Sequence, residues 1–240
     1  MGSRATREIR RAAGLAAVAA LVPALSACSV KDDDPDKVAG KQLFVEKCGS
    51  CHVLGRAGTK GTTGPNLDEA FQQAQREGFG ESAIRGVVHK QILYPARGGV
   101  MPANLVDDER AKDVAAYVAE VVSKPGEDSG LLATAVKKAG GGKAIAAAGG
   151  VLSIPADPTG QLAYASSAAT APAGKIAVQS PNKSSVPHDI TIDGLGKGAV
   201  VKDGGVSKFT ATLAPGKSYV FYCSVPGHKE AGMQGKLTVK

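Results

Sequence analysis

The 240-residue chain has no tryptophan and only five tyrosines and five phenylalanines. That shortage excludes one large aromatic core and favours small cores, each closed around a bound group. Cysteine is as scarce: Cys28, Cys48, Cys51 and Cys223 each sit in a different local signature, which leaves none for a disulfide. Three methionines (the initiator, Met101 and Met233) and four histidines complete the short supply of soft and borderline metal ligands. No segment after residue 27 is long and apolar enough to span a bilayer. Arginine is missing from residues 150–240, which weakens the nucleic-acid reading that a net charge of +7 would otherwise invite. We find no internal repeat, no hydrolytic triad and no phosphate-binding loop.

What is present begins with an address. Arg4, Arg7, Arg10 and Arg11 precede an apolar stretch from Ala12 to Ala27, broken by Pro23, that ends in Leu25-Ser26-Ala27-Cys28. Residues 1–27 therefore read as an export signal and are set aside from the fold. The box resembles that of bacterial lipoproteins, which implies lipidation of Cys28 and anchoring at the extracytoplasmic face of the cell membrane. Removing the signal takes away four Arg and one Glu and lowers the net charge to +4.

The remainder divides by pattern. Residues 28–35 are an acidic tether. Residues 36–124 read as helical: Gly40 and Phe44 share a face four residues apart, and Asp107-Asp108-Glu109 opens a second helix with its apolar stripe at Ala111, Val114, Ala115, Val118 and Val122. Residues 125–149 turn Ala- and Gly-rich and read as a linker, with one short helix expected near Leu131–Lys138. Fully flexible, a linker of that length has an end-to-end distance of roughly 25–30 Å. From residue 150 to 240 the periodicity becomes two, with strands expected at 151–154, 175–178, 188–192, 209–213, 218–223 and 236–239, the pattern of an all-β sandwich. Residues 29–125 hold 13 basic and 14 acidic residues against 9 and 5 in 150–240, so electrostatic docking of the two halves is expected.

Cys48-Gly49-Ser50-Cys51-His52 is the signature of c-type haem attachment. The two thiols add to the haem vinyl groups, and the adjacent imidazole reaches the iron. A redox dithiol or half a zinc site is the alternative for a bare Cys-x-x-Cys, but no second Cys pair exists and the immediate His favours haem. Around it, residues 36–124 resemble a class I cytochrome c, on Gly40, Phe44 and Tyr117 for the helix crossing, Gly64-Pro65-Asn66-Leu67 for a loop, and Arg97-Gly98-Gly99-Val100-Met101-Pro102 for the ligand loop. The resemblance implies an all-α fold, Pro65 orienting His52, and Met101 as the second axial ligand. His89 is the competing ligand.

Cys223, His228 and Met233 stand at Cys-x4-His-x4-Met spacing, and His188 is the one other histidine in that half. Two His, one Cys and a weak axial Met make a blue-copper donor set. Residues 150–240 resemble the cupredoxins, the plastocyanin and azurin group, which implies a Greek-key β-sandwich holding one type 1 copper. Asp189 follows His188 where those families commonly carry Asn, a departure at the position that hydrogen-bonds around the metal. A single loop Cys excludes a binuclear copper centre, and no spare His set exists for a catalytic copper.

The two resemblances imply an electron carrier rather than an enzyme. Its expected role is to shuttle single electrons between a quinol-oxidising complex and a terminal oxidase or reductase, without nucleic acid and with the membrane reached through the lipid. The alternatives are a relay subunit of an oxidase or reductase complex, and a copper storage or delivery protein.

Overall fold

Asp36 opens the first helix because its carboxylate accepts hydrogen bonds from the amides of Val38 (2.8 Å) and Ala39 (3.0 Å), which have no partner within the helix. The structure, a computed structural model, describes residues 34–240. The export segment, Cys28 and residues 28–33 of the tether lie outside the described residues. Helix α1 (Lys37–Leu43) runs directly into a wider π-helical turn at Phe44–Cys48. A small hairpin of β1 (Val53–Leu54) and β2 (Thr59–Lys60) follows, then α2 (Leu67–Arg76), α3 (Glu81–Leu93) and α4 (Asp108–Val121). Asp107 caps α4 by accepting from the Arg110 amide at 3.0 Å. The predicted stripe of Ala111, Val114, Ala115, Val118 and Val122 is fully buried, with Phe44, Val45, Ile84 and Ile92 in the same core.

The crossing of α1 over α4 depends on Gly40. A Cβ there would stand 2.1 Å from the Asp113 carbonyl oxygen and 3.1 Å from Tyr117 Cβ. One turn later, Phe44 meets Tyr117 with ring centroids 6.5 Å apart. Alanine would add about 1 kcal/mol of helix propensity, but overpacking against backbone that cannot rotate away costs about 3 kcal/mol. Gly40→Ala is therefore expected to lower the denaturant midpoint of the helical half, and an unchanged or raised midpoint would show that the crossing has room.

Residues 125–149 carry contacts along their length. Helix α5 is shorter than expected, Gly130–Thr134. Before it, Asp128 reaches into the helical half, where its carboxylate lies 2.9 Å from Lys41 Nζ and 2.8 Å from Arg56 Nε and accepts from the Tyr117 hydroxyl at 2.9 Å. Lys41 also donates to the Leu132 carbonyl (2.8 Å) and Gln42 to that of Ala135 (3.0 Å). At the far end β3 (Ile145–Ala146) pairs in parallel with β5 (Ala168–Ala171) of the next layer.

The C-terminal half is a sandwich of two sheets. One runs β3-β5-β11-β10-β7-β8, with β7 (Thr191–Ile192), β8 (Gly196–Lys197), β10 (Ser218–Tyr222) and β11 (Gln234–Val239). The other runs β4-β6-β9, from β4 (Val151–Ser153), β6 (Gly174–Pro181) and β9 (Val206–Leu213). Alternation is clean on β9, where Ser207, Ala211 and Leu213 are buried and Val206, Lys208, Thr210 and Thr212 exposed. The expected strand at 188–192 contracts to Thr191–Ile192 plus a single bridge, His188 to Val201. The reason is local: the Asp189 amide points to Cys223 Sγ (3.4 Å) and the Ile190 amide to Ser207 Oγ (3.2 Å), so neither enters a ladder.

Pro35–Lys240 forms a single unit, within which the two halves keep separate hydrophobic cores. Among the described residues no ion pair joins residues 36–124 to 150–240. No helix among the described residues is long and apolar enough to cross a membrane.

Candidate metal centres

The first site grows out of the π-helical turn. The amides of Cys51 (3.0 Å) and His52 (2.9 Å) both donate to the Cys48 carbonyl, which curls the pentapeptide so that the two thiols and the imidazole leave one short arc. Burial pushes the Cys48 thiol up to about 12, and the neighbouring Cys51 adds to the shift. His52 donates from Nδ1 to the Pro65 carbonyl at 2.9 Å, which leaves Nε2 as the ring nitrogen free to bind a metal. Gly64 lies against that ring: a Cβ would stand 2.5 Å from His52 Cε1, and the Gly64 amide donates to the Cys51 carbonyl at 2.8 Å. A covalent haem with a histidine on its iron fits these residues, since two thiols, an oriented imidazole and a side-chain-free loop position are what it requires.

Met101 is half-buried and packs against the helical core, with Gln91 Nε2 3.9 Å from its sulfur. His89 is engaged elsewhere, its Nε2 lying 2.9 Å from Asp108 Oδ1. That contact and the Lys112 ammonium hold the Asp108 carboxyl below its ordinary range, Lys112 being the larger cause.

The second site lies at the rim of the sandwich. His188, Cys223 and His228 are all buried and offer ligand atoms within 4.8 Å of one another. The two Nδ1 atoms stand 3.2 Å apart, and Cys223 Sγ is 3.9 Å from that of His188 and 3.5 Å from that of His228. Burial, then repulsion from His228, lowers His188 to about 4, and burial lowers His228 as well, so both imidazoles keep a lone pair at neutral pH. Burial raises the Cys223 thiol to about 11. His188 Nε2 is buried with no hydrogen-bond partner, so the polar contacts of the ring are all made through Nδ1. Two neutral imidazoles and a thiol converging in a dry pocket suit one borderline-soft cation such as copper. Met233 is fully buried in the sandwich core, and its carbonyl accepts from the Cys223 amide (3.0 Å) while its amide donates to the His228 carbonyl (2.9 Å).

Asp189 holds this site together in a way the sequence did not disclose. Its amide donates to the thiol sulfur, and its fully buried carboxylate accepts from the Ser224 amide (2.7 Å) and hydroxyl (2.5 Å), tying the Cys223 loop to the His188 segment. Lys197 Nζ lies 3.6 Å from the same carboxylate. Asp189 thus clasps the two ligand-bearing segments through its carboxylate, with its backbone supplying the bond to sulfur. Tyr222, which alternates outward beside Cys223, donates to Asp193 and lies beneath the Lys229 ammonium, 3.8 Å from the ring centre.

Comparison with known proteins finds a family match for each half. Residues 38–121 match the cytochrome c family, and residues 153–240 match the copper-binding proteins of the plastocyanin/azurin family. Similar solved structures include the dithionite-reduced auracyanin of Roseiflexus castenholzii, at 26% identity and TM-score 0.35 over 39% of this chain and 99% of that one. Auracyanin A, a blue copper protein of Chloroflexus aurantiacus, aligns at 21% identity and TM-score 0.34 over 38% and 98%. A reduced amicyanin variant aligns at 18% and 0.30 over 39% and 86%.

Proposed function

Since the chain joins a cytochrome c domain to a copper-binding domain of the plastocyanin/azurin family, we propose that this haem and copper electron-transfer protein is a lipid-anchored carrier. It serves between a quinol-oxidising complex and a terminal oxidase or reductase. Haem c and copper, when bound, each take up and release one electron. Cys48 and Cys51 hold the haem covalently, His52 and Met101 are its axial ligands, and Pro65 fixes the His52 ring. His188, Cys223, His228 and Met233 hold the copper. Cys28 carries the lipid at the extracytoplasmic face of the cell membrane, and the tether of residues 28–35 follows it.

The observation that carries this reading is the converging, buried His188–Cys223–His228 set on the same unit as an oriented Cys-x-x-Cys-His. Sites whose donors all come from the protein leave no open position for a substrate, which suits transfer over catalysis. Burial of all three donors also disfavours copper delivery, which needs ligands a partner can reach.

A spectroelectrochemical titration of the loaded protein tests it. Two one-electron waves are expected, one in the haem bands and one in the thiolate-to-copper band. Met101→Ala should lower the haem potential by on the order of 0.1 V, because thioether ligation favours ferrous iron. His89→Ala should leave it in place. A shift in the second variant and none in the first would transfer the sixth position to His89. No intense visible band on copper loading would sink the copper assignment.

A further inference from the structure

The copper-ligand loop comes close to one short segment of the haem half at two of its glycines. Gly227, which precedes His228, approaches Thr62 so closely that a Cβ on it would lie 3.1 Å from Thr62 Oγ1. Gly232, which precedes Met233, has Lys60 Nζ 3.8 Å from its Cβ position. Gly227 has φ +81°, a conformation that a residue with a side chain rarely adopts, so the near approach is built into the backbone. Thr62 also shares the lining of a surface cleft with Tyr222–Gly227 of the copper loop.

The other side of the segment rests on the haem attachment. A Cβ on Gly61 would stand 2.3 Å from the Ser50 carbonyl carbon and 2.5 Å from the Cys51 nitrogen. The loop closes at Gly64, whose amide donates to the Cys51 carbonyl at 2.8 Å. Thr62 is thus joined through the adjacent Gly61 to the backbone of a haem-bearing cysteine, and its own hydroxyl lies one packing step from the residue bonded to a copper-ligating histidine. Elsewhere along the seam the approaches do not run from one site to the other. A cavity of about 630 Å³ lies between Arg56 and Lys138 on one side and Tyr164 and Gln234 on the other. The contact of Gly160 with Glu46 leads to Val186 and Ser184, which hold no ligand.

We propose that Lys60–Thr62 is a built-in bridge through which the haem and copper sites exchange electrons within one molecule, with Thr62 as its bridging side chain. One electron passes, one site is oxidised as the other is reduced, and no bond is made or broken. This rests on the two-cofactor reading above.

The test uses the full chain loaded with haem and copper, reduced by a flash, with both absorption bands followed as they re-equilibrate. The exchange should be first order, independent of protein concentration, and independent of salt because no ion pair spans the seam. Thr62→Ala should slow it by about tenfold, since loss of close approach is costly to any oriented reaction. Thr62→Ser, which keeps the oxygen, should restore the wild-type rate, and neither substitution should move the spectra or potentials. A second measurement needs no electron transfer: oxidised copper should show faster EPR relaxation when the haem is oxidised than when it is reduced. A rate proportional to protein concentration, equal rates for wild type and Thr62→Ala, or no relaxation difference would each overturn the bridge while leaving the carrier reading intact. A missing thiolate-to-copper band would overturn both.

Discussion

Replacing Cys223 with serine is expected to abolish the visible thiolate-to-copper band and leave the haem spectrum unchanged. The sulfur stands 3.5 and 3.9 Å from the two imidazole nitrogens and is the sole soft anion available to the site. Burial raises its thiol to about 11, so a bound cation itself must favour the thiolate. A serine hydroxyl is harder and far less acidic, and cannot make the same bond. Removing a second-shell partner typically costs 10–100-fold in metal affinity, so loss of this ligand should exceed about 100-fold. Copper titration followed by visible absorption measures both effects. A band that persisted in Cys223→Ser would reassign the site. The fold should survive, because the side chain is small and the Asp189 amide can donate to oxygen as well as to sulfur.

Asp128→Asn should be the most damaging substitution outside the ligands, although Asp128 lies in a stretch that reads as a linker. Its side chain is 2% exposed and stands between the Lys41 ammonium, 8% exposed, and the Arg56 guanidinium, 18% exposed. The Tyr117 hydroxyl donates to it, and the carboxylate and burial together raise the tyrosine above its ordinary value, burial more. Without the anion the buried Lys41 ammonium and the half-buried Arg56 guanidinium lose their shared counter-charge. Breaking such a pair costs about 3–5 kcal/mol, a large part of the roughly 5–15 kcal/mol that holds a domain together. Denaturant unfolding followed in the haem bands should show the loss. Lys41→Met in the Asp128→Asn background should recover part of it, because it removes one stranded charge. A change below about 0.5 kcal/mol would mean that 125–149 is a passive connector after all.

Both predictions turn on residues of different legibility. Cys223, His228 and Met233 were readable because their donors come from one loop at fixed spacing, and metal chemistry tolerates few substitutes. His188 followed by elimination among four histidines. Asp128 offered no such signal: an isolated acid in an Ala- and Gly-rich stretch has a meaning only once α1 and α4 bring Lys41 and Tyr117 beside it. Thr62 is the same case, since nothing local distinguishes it from any polar loop residue.

Secondary structure divides along the same line. Helix α4 was legible from its cap and its 3.6-residue stripe, and β9, β10 and β11 from alternation. Strand β5 was not. Ala168-Ala169-Thr170-Ala171 has little intrinsic strand preference and is held by parallel pairing to β11, a partner over sixty positions away. The shortening of the strand at His188 was hidden for a related reason: backbone amides that would have joined a ladder are taken by Cys223 and Ser207.

The cofactors, their ligand types and the two architectures are therefore written in short-range patterns, because covalent haem attachment and a copper-ligand loop demand particular residues at particular spacings. The Asp189 clasp, the burial of Asp128 and the meeting of Thr62 with Gly227 are contacts between positions from about 35 to 165 residues apart. Local chemistry does not encode such pairings. They arise only as the chain closes in three dimensions: the Asp189 clasp lies within the copper half, Asp128 packs on the helical half, and of the three the Thr62–Gly227 approach lies between the halves.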